Sequence, residues 1–242
     1  MAHDSARELW IVRLERMDYG EALELQRTVA RARIAGLLSE DVVLLVEHSP
    51  VVTFGRTAKA RHVISSPEYL ASRGVRVFEV ERGGDVTFHG PGQLVGYPII
   101  DLKRHKQDLH WYLRQVEEAL LLGLRELGIP AERSAGYTGV WTQGRKIASI
   151  GVHARDWVTW HGFALNVNTD LSFFDLIVPC GIAGVDMTSI RRELGVSRIE
   201  MSVVERTISR AFGRVFDLAV VEVPSSALEV TLVETIAGEA IT

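Results

Sequence analysis

Apolar and polar positions follow two periods along this chain, and the switches between them mark its elements. Leu9–Leu14, Val42–Val46, Val51–Phe54, Val75–Val80 and Leu94–Ile100 are short runs rich in β-branched residues, and each predicts a strand. Ser49-Pro50 breaks the second run from the third. Residues 21–35 set Ala22, Leu25, Val29 and Ala32 on one helical face, and Gly36 supplies a stop. The clearest helix covers 108–127, where Leu109, Leu113, Val116, Leu120, Leu124 and Leu127 recur every three or four residues before Gly128 and Pro130. Tyr137–Thr142, Lys146–His153 and Val158–Asn166 read as three successive strands. Ser202 with Glu205 has the spacing of a capping box, opening a helix through Val204, Ile208, Phe212 and Val215. Leu218–Val223 predicts a last strand. One domain over 1–223 is expected, followed by a loose tail over 224–242, where structural signals are weak. Consecutive strands interrupted by a few helices, without strict alternation, indicate an α+β fold with a largely mixed or antiparallel sheet.

Composition narrows the function classes. With 242 residues, 47% hydrophobic and 24% charged, the chain can bury a sizeable core. A net charge of −4 lacks the basic excess of a nucleic-acid binder. The longest apolar runs are too short to span a bilayer, and the opening MAHDSARELW has no secretory pattern. A single cysteine allows no internal disulfide, so a cytoplasmic setting is expected. The eight histidines show no metal-ligand spacing, and neither a metal nor a cofactor is expected.

Three segments can carry chemistry. Arg82 to Gln93 holds five glycine or proline residues, giving an exposed backbone able to approach a ligand, or else two hairpin turns with nothing bound. Its Gly90-x-Gly92-x-x-x-Gly96 spacing misses the dinucleotide fingerprint and precedes a strand. Gly139 to Lys146 begins like a phosphate loop but has Arg145 where lysine is required and then a strand. Lys146 is therefore either a solvated strand-start lysine or a partly buried amine able to act as a base. Cys180 lies in Val178-Pro179-Cys180-Gly181-Ile182. A free cysteine is most often inert core, yet a loop position between proline and glycine suits an accessible nucleophile.

Together these segments resemble the lipoyl(octanoyl) transferases of the lipoate/biotin protein ligase superfamily. The resemblance rests on Glu47-His48-x-Pro50-Val51-x-Thr53-x-Gly55-Arg56, RGGDVTFHGPGQLVGYPIIDL, GYTGVW, RKIASIGV and WHGFALNVNTDLSFFDLIVPCGI, in that order from about Leu9 to Phe216. It implies a mixed β-sheet flanked by helices. It also implies that Cys180 is the nucleophile that carries the acyl group as a thioester, and that Lys146 activates it. It further implies an acyl and carbonyl pocket lined by Arg82, Gly83, Gly84, Asp85, Val86, Thr87, Phe88 and His89, by Ser149, Ile150 and Gly151, and by Gly162, Phe163 and Ala164. His153 departs from the family pattern, which has other basic residues there.

The implied reaction is ping-pong. Cys180 takes an octanoyl group from octanoyl-acyl carrier protein. It then passes the group to a lysine of a lipoyl domain, in a 2-oxoacid dehydrogenase complex or in the glycine cleavage H protein. The donor is already activated, so no ATP is required. An apolar tunnel burying six or seven CH₂ groups is worth roughly 5 kcal/mol, at about 0.8 each. Backbone N–H groups near Gly181 and in the glycine-rich loop are candidate oxyanion donors. Arg56, Lys59 and Arg61, and the Lys103-Arg104-His105-Lys106 cluster, are candidate docking charges for acidic carrier domains, or else solvated basic faces. The rival readings are an ATP-dependent lipoate or biotin ligase, an amidotransferase working between carrier proteins, and a non-catalytic acyl-binding module.

Overall fold

The structure, a computed structural model, describes residues 7–239. The first six residues, which belong to the N-terminal stretch read for a signal, and the last three of the expected tail lie outside the described residues.

Strand β1 (Glu8–Met17) leads into helix α1 (Tyr19–Ile34), whose N-cap Asp18 accepts from the Gly20 N–H. Strands β2 (Asp41–His48) and β3 (Val51–Phe54) follow, parted at Ser49-Pro50 into different sheets. Next come the short helix α2 (Pro67–Ser72) and strands β4 (Arg76–Glu79), β5 (Val86–His89) and β6 (Gln93–Ile99). Helix α3 (Leu109–Glu126) precedes β7 (Val140–Thr142), β8 (Arg145–Arg155) and β9 (Val158–Asn166). Helices α4 (Ile190–Leu194) and α5 (Met201–Phe216), strand β10 (Ala219–Glu222) and helix α6 (Ser225–Glu239) complete the described chain.

Seven strands form one mixed sheet in the order β10-β1-β2-β6-β9-β8-β7, and β4-β3-β5 form a smaller one. In the large sheet β1 runs parallel to both β10 and β2, and the other pairings are antiparallel. The expected α+β fold with a mixed, helix-flanked sheet is the fold observed. Helices α3 and α5 cover one face, burying Tyr112, Val116, Leu120, Leu124, Ile208 and Phe212 against Leu45, Ile147 and Phe163. Helix α1 covers the other, where Ala22, Val29 and Ala32 meet Val42, Val95 and Tyr97. The small sheet has its own core, with Val86 and Phe88 packed on Phe174, Leu176 and Ile177.

Three local readings are corrected. Ser202 does not cap: α5 begins at Met201 after Glu200, with no side-chain cap bond. The strand expected over Tyr137–Thr142 is confined to Val140–Thr142, because Gly136 and Gly139 hold positive φ values of 82° and 137°. Residues 225–239 are helical where a loose tail was expected. Leu228 and Leu232, one turn apart, are buried with α1 and the large sheet, and this packing overrides the weak local signal. Strand β5 lies between the two glycine turns of the segment for which the sequence names no strand.

Candidate active site

Lys146 and Cys180 are 34 positions apart, yet their side chains meet: Lys146 Nζ lies 3.2 Å from Cys180 Sγ. Backbone pairing brings them together. The Lys146 N–H donates to Asp186 O, and the Thr188 N–H donates to Lys146 O, so the segment after Cys180 lies as a parallel bridge beside β8. On its other side the same loop is tied to residues 62–64, through Val178 N–H to His62 O and Ile64 N–H to Leu176 O. Asn166 Nδ2 fixes its far end by donating to Thr188 O. Cys180 sits in a short 3₁₀ turn, Pro179–Gly181, with φ 56° and ψ 20°. A non-glycine residue in the left-handed region is uncommon and concentrates at functional sites. Gly181, at φ 67°, has no room for a side chain, since a Cβ there would lie 2.6 Å from Asp85 Oδ2.

The Lys146 side chain is only 1% exposed, so it is not the solvated strand-start lysine that the sequence left open. Its ammonium also rests 4.9 Å over the Trp141 ring, and Gly139 leaves space for its stem. Ser149 Oγ is 3.8 Å from Cys180 Sγ. The Gly181 N–H donates to Val178 O and the Gly83 N–H to Val152 O. Of the backbone groups expected as oxyanion donors these two are therefore already bonded, and the Lys146 Nζ and the Ser149 hydroxyl also stand beside the sulfur.

A cleft of about 250 Å³ opens at this pair. Arg82, Gly84, Asp85, Thr87, His89, Ser149, Ile150, Gly151, Gly162, Phe163 and Ala164 line it with Lys146 and Cys180. Gly83, Val86 and Phe88, expected as lining residues, are not among those that do. Side chains on β5 alternate, so Thr87 and His89 face the cleft while Val86 and Phe88 enter the small-sheet core. The Phe88 ring stacks on Phe173 at 4.8 Å. The Phe163 ring stacks on Phe212, in the core beneath the sheet.

The lining is less apolar than a hydrocarbon tunnel. Arg82 is buried, with its guanidinium donating to Thr53 O, Thr53 Oγ1 and Gly83 O, and burial pushes its pKa down. His89 Nδ1 donates to Gln93 Oε1, because the Gln93 amide nitrogen already donates to Phe88 O and Asn166 Oδ1. Burial, reinforced by nearby His48, holds the His89 pKa down at about 3. Tyr19, stacked on His89, is pushed up to about 12 by the same desolvation. His62 Nδ1 and Asp85 Oδ2 are 2.8 Å apart beside Gly181. Sequence reasoning did not single out Tyr19, Thr57, Val95, Tyr97, His161 or Ile182, which also line the cleft. Val95 and Tyr97 share β6 and the others stand on separate elements, so no spacing in the sequence groups them into one site.

Arg56, Lys59 and Arg61 are exposed, and the Arg56 N–H donates to Arg82 O next to Thr57, which lines the cleft. In the second basic cluster, Lys103 and Lys106 pair with Asp101 and Asp108, and His105 Nε2 binds Asp41 Oδ2 at 2.9 Å. Among the described residues, no helix is long and apolar enough to cross a membrane.

Residues 18–213 match the model of the lipoyl protein ligase A/B catalytic domain. The chain is 50% identical over 211 residues to an octanoyltransferase of Koribacter versatilis, covering 85% of this chain and 83% of that one. It is 52% identical over 199 residues to an octanoyltransferase of Rubrobacter xylanophilus, covering 81% and 88%. Among solved structures, lipoate-protein ligase A bound with ATP superposes with a TM-score of 0.75 at 17% identity, over 94% of this chain and 93% of that one. A bipartite lipoate protein ligase from Thermoplasma acidophilum, studied with its E2 lipoyl domain, gives 0.74 at 17% over 94% and 91%. These two likenesses concern the fold.

Proposed function

The chain belongs to the lipoyl protein ligase A/B catalytic-domain family, and we propose that it transfers an octanoyl group to lipoyl domains through a Cys180 thioester. The observation that supports this most directly is the 3.2 Å approach of the buried Lys146 ammonium to Cys180 Sγ. A thiolate is the nucleophile, and an ammonium at that distance stabilises it while the neutral amine can accept its proton. Residues 1–223 form the catalytic domain in this reading.

Cys180 Sγ attacks the thioester carbon of octanoyl-acyl carrier protein, the bond to the carrier sulfur breaks, and the carrier leaves as its thiol with the proton returned through Lys146. In the second half, the amine of a lipoyl-domain lysine attacks the Cys180 thioester. The sulfur leaves, and Lys146 receives the proton released from the amine. The acceptors in this reading are lipoyl domains of 2-oxoacid dehydrogenase complexes and the glycine cleavage H protein. Because the donor is a thioester, no ATP and no cofactor enter, and this separates the reaction from that of the ATP-dependent ligases sharing the fold.

The test is to incubate the protein with octanoyl-acyl carrier protein, without ATP, and weigh it intact. A hydroxylamine-labile octanoyl mass that is absent in Cys180→Ala supports the reading. Octanoylation of a lipoyl domain only with ATP and free octanoate overturns it in favour of a ligase.

A further inference from the structure

His161 is 1% exposed, and among the described residues neither of its ring nitrogens has a hydrogen-bond partner. It nevertheless lines the same cleft as Cys180. Glu81 Oε1 is 3.8 Å from His161 Nε2, too far for a hydrogen bond, and that oxygen is already taken by Trp160 Nε1 and Arg27. The residue has φ 56° within β9, and its backbone N–H donates to Gln26 Oε1. A buried imidazole without a partner is costly unless something that enters the cleft completes it.

Its position along the sheet gives a length. Ser149, beside Cys180 Sγ, pairs with Ala164, whereas His161 pairs with Val152, three residues further along both strands. Three residues of strand span ~10 Å. An extended chain advances about 3.3–3.6 Å for every three bonds, so the seven bonds of an eight-carbon acyl chain span ~8 Å. Of the two pairs between Ser149–Ala164 and Val152–His161, Gly151–Gly162 carries no side chains and Ile150–Phe163 packs with the core under α3 and α5, while Tyr19, Tyr97 and His89 line the same cleft as His161.

We propose that His161 closes the inner end of the acyl site, limiting the chain to about eight carbons and accepting acyl chains with a hydrogen-bonding group on the terminal carbon. The inference rests on the thioester reading above. The added substrate class is the ω-hydroxyacyl thioester of the same length, whose hydroxyl supplies the partner His161 lacks. An entirely apolar end would reject such a chain by about tenfold to a hundredfold, since the hydroxyl would be buried unpaired.

Adduct formation on Cys180 is to be timed with hexanoyl, octanoyl, 8-hydroxyoctanoyl, decanoyl and dodecanoyl carrier protein. The unaltered protein is expected to take 8-hydroxyoctanoyl within about threefold of octanoyl, and dodecanoyl far more slowly. His161→Phe keeps a ring but no nitrogen and is expected to retain the length limit while losing the hydroxylated chain. His161→Ala is expected to accept decanoyl as well as octanoyl. Rejection of 8-hydroxyoctanoyl by the unaltered protein, or folded variants with an unchanged chain profile, overturns the inference. The first of these results needs no variant to fold. Absence of an adduct with every chain overturns the thioester reading instead, so the two failures are distinguishable.

Discussion

At the scale of single residues, the site turns on one unusual burial and one unusual backbone conformation. Lys146 is enclosed by Cys180, the Trp141 ring and the backbone of Gly139. Lys146→Met keeps much of the apolar stem and removes the charge. Alkylation of Cys180 by iodoacetamide at pH 7 is then expected to slow about tenfold or more, because an ordinary thiol is only a few per cent thiolate there. Octanoyl-adduct formation should fall by about 10²–10⁴, the usual worth of a positioned proton-transfer group. Equal alkylation rates in both proteins would reduce Lys146 to a packing residue. Surface charge is a separate matter. Arg56 and Lys59 are exposed on the segment that carries the cleft-lining Thr57, whereas Lys103 and Lys106 pair with Asp101 and Asp108. Arg56→Glu with Lys59→Glu is expected to raise KM for the acidic carrier about tenfold at low ionic strength, with the difference shrinking in 0.5 M salt, near the limit of ~3 Å screening at 1 M. The same reversals at Lys103 and Lys106 should leave KM unchanged. Steady-state titration of carrier protein at two salt concentrations separates these outcomes.

At the scale of elements, what was legible followed from burial on one face. The α3 heptad-like spacing predicts 108–127 and the helix is Leu109–Glu126; Val158–Asn166 is strand β9 without change. Strand β5 was not legible, because its glycine-rich flanks read as turns and its pairing partner, β3, is more than thirty residues away. Its alternation decides which side chains of Arg82–His89 face the cleft, and the same gap hides from the sequence that Val86 and Phe88 turn into the small-sheet core. Cys180 and Lys146 were legible as candidates, whereas their contact was not: it depends on a backbone bridge between Lys146 and Met187 that has no local signature. Helix α6 was missed for a related reason. Its buried positions, Leu228 and Leu232, are interspersed with exposed Val230 and Val233, so no clean polar face marks it. Truncation after Pro224 tests its worth. Exposing the two leucines and the surface they cover on α1 and β1 is expected to lower unfolding free energy by about 3–6 kcal/mol, from about 1.5–3 per buried leucine. Urea titration of the full chain and the truncated one measures it, and coincident midpoints would restore the loose-tail reading.

At the scale of the whole molecule, the two sheets are joined by a buried aromatic and histidine cluster, and the cleft lies at that junction. His48 ends β2 in the large sheet, His89 ends β5 in the small one, Tyr97 lies on β6 and Tyr19 opens α1. Ring centroids within the cluster are 5.2 Å for Tyr19–His48, 5.9 Å for Tyr19–His89 and 6.0 Å for His48–His89. His48 Nδ1–H donates to Met17 O, and its Nε2 accepts from the Tyr97 hydroxyl, so the neutral ring is fully satisfied. Burial holds His48 at about 4 and His89 at about 3, against about 6.5 for an exposed histidine. Between these values and 6.5 the unfolded chain binds more protons than the folded one. Stability therefore rises with pH across that window, is fully present above about 6.5, and is lost as pH falls toward 4 and then 3. From pH 7.5 to pH 5 each histidine should remove about 2 kcal/mol of unfolding free energy. Neighbouring charges modulate this: Asp18 favours the protonated form of His48, while Arg82 and His161 oppose protonation of His89. Urea unfolding at pH 7.5, 6 and 5 should show the midpoint falling steadily in the unaltered protein. His48→Gln with His89→Gln should flatten that slope even though it lowers stability at pH 7.5. A slope unchanged by the double substitution would mean that other groups carry the acid sensitivity, and that the junction between the sheets tolerates charge. A flattened slope would tie the integrity of the acyl cleft to the neutrality of two histidines that stand on different sheets.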